Sequence, residues 1–204
     1  MKRNIVILLI IVFLLIVCFT HTNNVDDNVI YIPNFLNESD YEKILNLDKN
    51  KDDFIFEKFR YSKPLDDKGV YDIFYGKEYI RRIQEKINHK IYPSEFPIEH
   101  RFYPSNSPGM KWHKDLLMYE KPQYEGIFTI RNTSKSVTEW IDKDDKTQSL
   151  WTEPNSLLIV KAQGYPHHVT PLVKGNREIL KLIYTQTHKT NESYDEEMKR
   201  FKNE

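Results

Sequence analysis

The segment Pro166-His167-His168-Val169-Thr170-Pro171-Leu172-Val173-Lys174-Gly175-Asn176-Arg177 sets two adjacent histidines ahead of a turn marked by proline and glycine, and ends on an arginine. The residues after it, 178–185, read as an apolar strand, rich in the branched and aromatic side chains that suit a pleated surface. Working outwards, similar short apolar or alternating runs occur at 98–103, 111–115, 126–131 and 156–161, divided by proline, glycine, asparagine and charged turns. That pattern predicts an antiparallel sandwich or barrel.

Upstream, residues 29–32 have the content of a further strand. Ser39-Asp40-Tyr41-Glu42 reads as a capping box that opens a helix over about 39–48, since hydroxyl and carboxylate can each satisfy an end amide. Ile80, Ile83, Ile87 and Ile91 recur at helical spacing and predict a second helix over 77–91. The fold class is therefore mainly β with supporting α-helices, in one domain, as 204 residues allow.

Lysine plus arginine equals aspartate plus glutamate, 30 against 30, so no global field draws the protein to nucleic acid or an acidic surface. The N-terminus differs in kind: Lys2 and Arg3 precede an unbroken apolar run over 5–19. At about 1.5 Å per residue the run spans roughly 22 Å, short of a ~30 Å hydrocarbon core. Cys18-Phe19-Thr20 is a poor cleavage site, so residues 1–20 are expected to be an uncleaved signal anchor, with a cleaved signal peptide and secretion as the alternative. The basic pair keeps the N-terminus cytosolic and sends the rest into the endoplasmic reticulum or secretory lumen. Residues 21–28 read as a polar tether, 29–190 as the folded domain, and 191–204 as a charged, solvated tail. The single cysteine, Cys18, lies in the apolar run, so the domain has no internal disulfide. Sequons at Asn37, Asn132 and Asn191 suit a lumen but arise readily by chance in an Asn-rich chain.

Chemistry enters with Trp112-His113-Lys114-Asp115. In a strand, residues two apart share a face, so His113 and Asp115 can reach one ion. A histidine from a distant strand, His167 or His168, would complete the two-histidine, one-carboxylate set that leaves coordination positions open on non-haem iron.

Residues 166–177 resemble the distal motif of the 2-oxoglutarate and Fe(II)-dependent oxygenases, especially the prolyl 4-hydroxylase-like branch. There a metal histidine is followed by a proline four residues on, a glycine eight on and a basic residue ten on. His167, Pro171, Gly175 and Arg177 fit that frame, whereas His168 is one residue out of register. The resemblance implies a double-stranded β-helix (jelly-roll) core with His113, Asp115 and His167 as Fe(II) ligands. It also implies Arg177 as partner of the far carboxylate of 2-oxoglutarate, a task suited to a planar, permanently charged guanidinium. Tyr103, on the strand before the His-x-Asp triplet, is the matching hydrogen-bond donor to that co-substrate. Lys181 shares a strand face with Arg177 and belongs either to the pocket or to its rim. The implied co-substrates are 2-oxoglutarate and O2, with ascorbate as accessory reductant. The implied reaction is hydroxylation of a peptide or protein side chain, proline first and lysine second. One departure stands out: relatives carry a Gly-Gly-x-Thr turn after the central strand, where this chain has Ser134-Lys135-Ser136-Val137-Thr138-Glu139-Trp140. Two competing functions are a non-catalytic, membrane-tethered jelly-roll binding module, which has no use for Arg177 at this spacing, and oxidative demethylation of nucleic acid. The balanced charge and export segment weigh against the latter.

Overall fold

The computed structural model describes residues 26–47, 53–57, 59–87 and 89–201, and in it the apolar and alternating runs become strands of two antiparallel sheets. The larger sheet runs in the order β1 (Val29–Ile32), β10 (Ser156–Lys161), β7 (Tyr124–Asn132), β12 (Arg177–Thr185), β5 (Glu99–Tyr103), β3 (Arg60–Pro64), β2 (Ile55–Glu57), and β4 (Tyr92–Pro93) pairs with the end of β12. The smaller sheet is β6 (Met110–His113), β11 (His167–Val169), β8 (Thr138–Ile141) and β9 (Thr147–Leu150). This is the jelly-roll expected from the sequence, with a cavity lined by both sheets.

Alternation along β12 shows why the fold makes a site. Leu180, Leu182 and Tyr184 join the main apolar core with α1 (Glu38–Leu45), α2 (Lys68–Phe74) and α3 (Lys77–Ile87), while Arg177, Ile179 and Lys181 line the cavity. The helices thus seal one face of the larger sheet and leave the other to the smaller sheet. Phe128 on β7 is fully buried between Phe74, Phe35 and Tyr41, with ring centroids 5.0, 6.3 and 6.3 Å away. Phe128→Ala is expected to cost about 3–5 kcal/mol in denaturant unfolding, because the rigid sheet cannot collapse into the space.

Several boundaries differ from the sequence reading. The cap of α1 is Asn37, not Ser39: its side-chain oxygen accepts the Asp40 amide at 2.9 Å. Phe35 and Leu36, buried just before it, anchor the chain so that the helix starts there. α3 stops at Ile87, and Ile91 is buried outside it, so that Tyr92 can turn and pair with Thr185. α2 had no apolar period long enough to read; Asp67 caps it by accepting the Gly69 and Val70 amides.

The N-terminal apolar run lies outside the described residues. Among the described residues no helix is long and apolar enough to cross a membrane. At the end of the expected tether, Asp27 is already fastened to the body: Lys161 Nζ lies 2.9 Å away and the Tyr124 hydroxyl donates to it at 2.6 Å. The charged C-terminal segment forms α4 (Glu192–Met198) and a short 3-10 turn, and its few apolar residues, Tyr194, Met198 and Phe201, pack on Phe96, Met118, Tyr119 and Ile183. Of the sequon asparagines, Asn132 is buried and donates to the Thr152 carbonyl, which removes it as a glycan acceptor in the folded chain.

Candidate metal centre

His113 ends β6 and His167 begins β11, and the two face each other as cross-strand partners. Asp115 follows two residues beyond His113, where the chain has left the strand. One ligand atom from each of the three lies within 4.8 Å of the others. Asp115 sits 3.6 Å from His113 Nε2 and 3.5 Å from His167 Nε2, each through a different carboxylate oxygen.

The ring orientations are set by the backbone. His113 Nδ1 lies 2.7 Å from the Lys111 carbonyl, and His167 Nδ1 lies 3.1 Å from the Tyr165 carbonyl. A carbonyl only accepts, so Nδ1 of each ring is the donor, and in the neutral imidazole that leaves the Nε2 lone pair turned toward Asp115. Burial lowers the pKa of His167 and favours that neutral, ligating form. His168 points the other way: it stacks on exposed Trp112 with centroids 4.1 Å apart and bonds Glu139 at 2.7 Å. Trp112 therefore belongs to the outer face of the smaller sheet and does not line the cavity.

Burial, reinforced by the charge of Glu125, pushes the Asp115 carboxyl up to about 7. A carboxyl whose folded pKa stands above its reference value of 3.8 stabilises the fold while protonated. Its contribution is full below that value and is lost as pH rises through about 7. In thermal melts of metal-free protein, Asp115→Asn is accordingly expected to gain on the wild type as pH rises from about 4 to 7 and to keep that gain above it. Over the same interval the wild type should bind divalent metal more tightly, because the metal needs the carboxylate.

At the far end of the cavity Arg177 opens β12, paired in register with Tyr103 on β5. Both are buried, and Tyr103 packs against Phe59. Arg177 Nε has no hydrogen-bond partner, and no carboxylate of the described residues pairs with the guanidinium. Burial pulls its pKa down, with only Tyr103 opposing. Such a group is costly unless something anionic joins it. Its approach is shaped by Gly175 at φ +77°, where a Cβ would collide with the Thr133 carbonyl oxygen. Only glycine makes that turn without strain.

All five residues singled out in the sequence thus border one cavity. Lys181, left between pocket and rim by the sequence, lines the cavity as well, and with it stand charged residues the sequence reading missed, Arg101 and Glu125. Arg101 on β5 is clasped by Glu99 through 2.7 and 3.2 Å hydrogen bonds, and Lys181 meets Glu125 at 2.7 Å. Arg101, two residues before Tyr103 and so on its strand face, was the available signal; a glutamate on apolar β7 was the other. Chemically, the cavity offers two imidazole nitrogens and a carboxylate for a divalent ion with open positions, and a desolvated guanidinium for an anion.

No protein-family model and no curated protein matches the chain in sequence. Its fold is that of the 2-oxoglutarate and Fe(II)-dependent oxygenases. A 2OG-Fe(II) oxygenase-family oxidoreductase from Burkholderia pseudomallei superposes with a TM-score of 0.68 at 8% identity, over 81% of this chain and 88% of that one. A prolyl hydroxylase from Trichoplax adhaerens, solved with a hypoxia inducible factor oxygen degradation domain peptide fragment, gives 0.61 at 15% identity, over 79% and 84%. HygX from Streptomyces hygroscopicus, solved with nickel and 2-oxoglutarate bound, gives 0.57 at 9% identity, over 79% and 84%.

Proposed function

We propose that the chain is an Fe(II)- and 2-oxoglutarate-dependent oxygenase in which His113, Asp115 and His167 hold the iron. Arg177, assisted by the Tyr103 hydroxyl, receives the far carboxylate of 2-oxoglutarate. The observation that carries this reading is a buried arginine without a counter-ion among the described residues, facing the same cavity as three side chains arranged for a metal. The donor set suits Fe(II), and the orphaned guanidinium suits a dicarboxylate. When bound, iron with its co-substrate supplies the O2 activation, and ascorbate would serve to restore Fe(II). The protein's own part is to orient the imidazoles, keep His167 neutral and screen the cavity between its sheets.

The likeness to a prolyl hydroxylase solved with a peptide fragment makes a peptide side chain the first substrate to test, proline before lysine. The basic pair and apolar run at the N-terminus support a membrane-anchored domain in the secretory lumen; protease protection of the domain in intact microsomes checks that. For the activity, full-length protein in detergent is given Fe(II), ascorbate and 2-oxoglutarate, and succinate is measured with and without prolyl and lysyl peptides. Iron-dependent succinate is expected; its absence under all these conditions would sink the enzyme reading.

A further inference from the structure

The cavity has a charged wall that metal and co-substrate binding leave unused. Arg101, Glu125 and Lys181 line it together, from three neighbouring strands of the larger sheet. On β12 Lys181 stands four residues from Arg177 on the same face, roughly 13 Å away at about 3.3 Å per residue. The loop that carries Asp115 hangs over the Lys181 end: Gln123, the residue before β7, donates to the Leu116 carbonyl at 2.7 Å and accepts the Met118 amide at 3.2 Å. Along β12 the cavity therefore runs from Arg177 with Tyr103 at one end, past Arg101 opposite Ile179, to Lys181 at the other end, under the loop that carries Asp115.

The wall has donors to spare. A guanidinium carries five N–H groups and an ammonium three. Arg101 bonds Glu99 and Lys181 bonds Glu125, and among the described residues neither makes another such bond. Burial opposes charge on Glu99, but Arg101, Lys181 and Arg200 outweigh it and hold the carboxyl at about 2, so the clasp stays ionised. An incoming group must therefore accept hydrogen bonds. A lysyl ammonium would meet two like charges, and a bare prolyl ring would leave the donors unmet.

We propose that Arg101 and Lys181 form the substrate-recognition wall and that the substrate presents a carboxylate to it, close to the carbon that reacts. This rests on the oxygenase reading and narrows its substrate class. An acidic residue of a peptide and a free amino or carboxylic acid share the required chemistry.

The test is calorimetric binding to full-length protein loaded with Mn(II) and saturating 2-oxoglutarate. The probes are blocked aspartyl and glutamyl peptides, their asparaginyl and glutaminyl counterparts, a blocked prolyl peptide, and free aspartate. Carboxylate probes are expected to bind roughly tenfold or more tightly than their amides, as loss of a charged hydrogen bond implies. Comparison of free with blocked aspartate identifies the source of the carboxylate. Arg101 is too deeply buried to replace safely, so the variants are Lys181→Gln, which should erase the preference, and Glu125→Gln, which should strengthen it by releasing Lys181. A merely structural pair would move both the same way. Equal affinity for aspartyl and asparaginyl probes, or a preference that survives Lys181→Gln, overturns the proposal while leaving the oxygenase reading intact. Failure to bind Mn(II) and 2-oxoglutarate at all overturns both.

Discussion

His167→Ala is expected to abolish divalent metal binding, while His168→Ala leaves it close to wild type. The two residues are adjacent, of one type and on one short strand, so composition and neighbourhood cannot separate them. Their faces do: His167 Nε2 is directed at Asp115 with its Nδ1 held by a carbonyl, and His168 stacks on Trp112 outside. Loss of an outer partner of a metal ligand already costs about 10–100-fold in affinity, so loss of the ligand itself should cost more. Titration of Mn(II) or Fe(II) followed calorimetrically separates the two variants. Metal binding that survives in His167→Ala and fails in His168→Ala would refute the assigned set.

The second large effect belongs to Arg177. Arg177→Met keeps the length of the stem and removes a buried charge. Its loss is expected to weaken 2-oxoglutarate binding by about 2–5 kcal/mol, roughly 30-fold or more. The same change should leave the melting temperature of the metal-free, co-substrate-free protein unchanged or raised, because the guanidinium has no partner to lose among the described residues. Wild-type protein should gain stability on addition of metal and 2-oxoglutarate, and the variant should not share the 2-oxoglutarate component. A structural arginine would behave oppositely, with a lowered melting temperature and undisturbed co-substrate binding.

The pairs that build the charged wall show where reading a sequence runs short. Arg101 and Glu99 are two residues apart and Lys181 was noticed for sharing a face with Arg177, yet neither spacing said which partner each would take. Lys181 finds Glu125 because β12 lies between β5 and β7 in the sheet. The short strands β8 and β9 were passed over for a related reason: they are polar, partly exposed, and made into strands by pairing with β11 and with each other. The same holds for α2, whose seven residues give too little periodicity to read but whose Val70, Ile73 and Phe74 are pressed into the core.

What the sequence by itself determined was held in intervals along one strand or across one turn: the strand-rich class from alternation, His113 with Asp115 from a spacing of two, and the interval of ten from His167 to Arg177. Such intervals survive in one dimension because a short span keeps its ends close, even though Asp115 lies past the end of β6 and off its pleat, and because a glycine turn converts spacing into direction. Only the tertiary structure decided that His168 faces outward, that Glu125 and Arg101 line the cavity of the metal site, and that Arg177 is left buried without a counter-ion among the described residues. Those facts depend on which strands become neighbours and in what register. Register is fixed by the whole sheet packing one face against the helices, and no local segment encodes it.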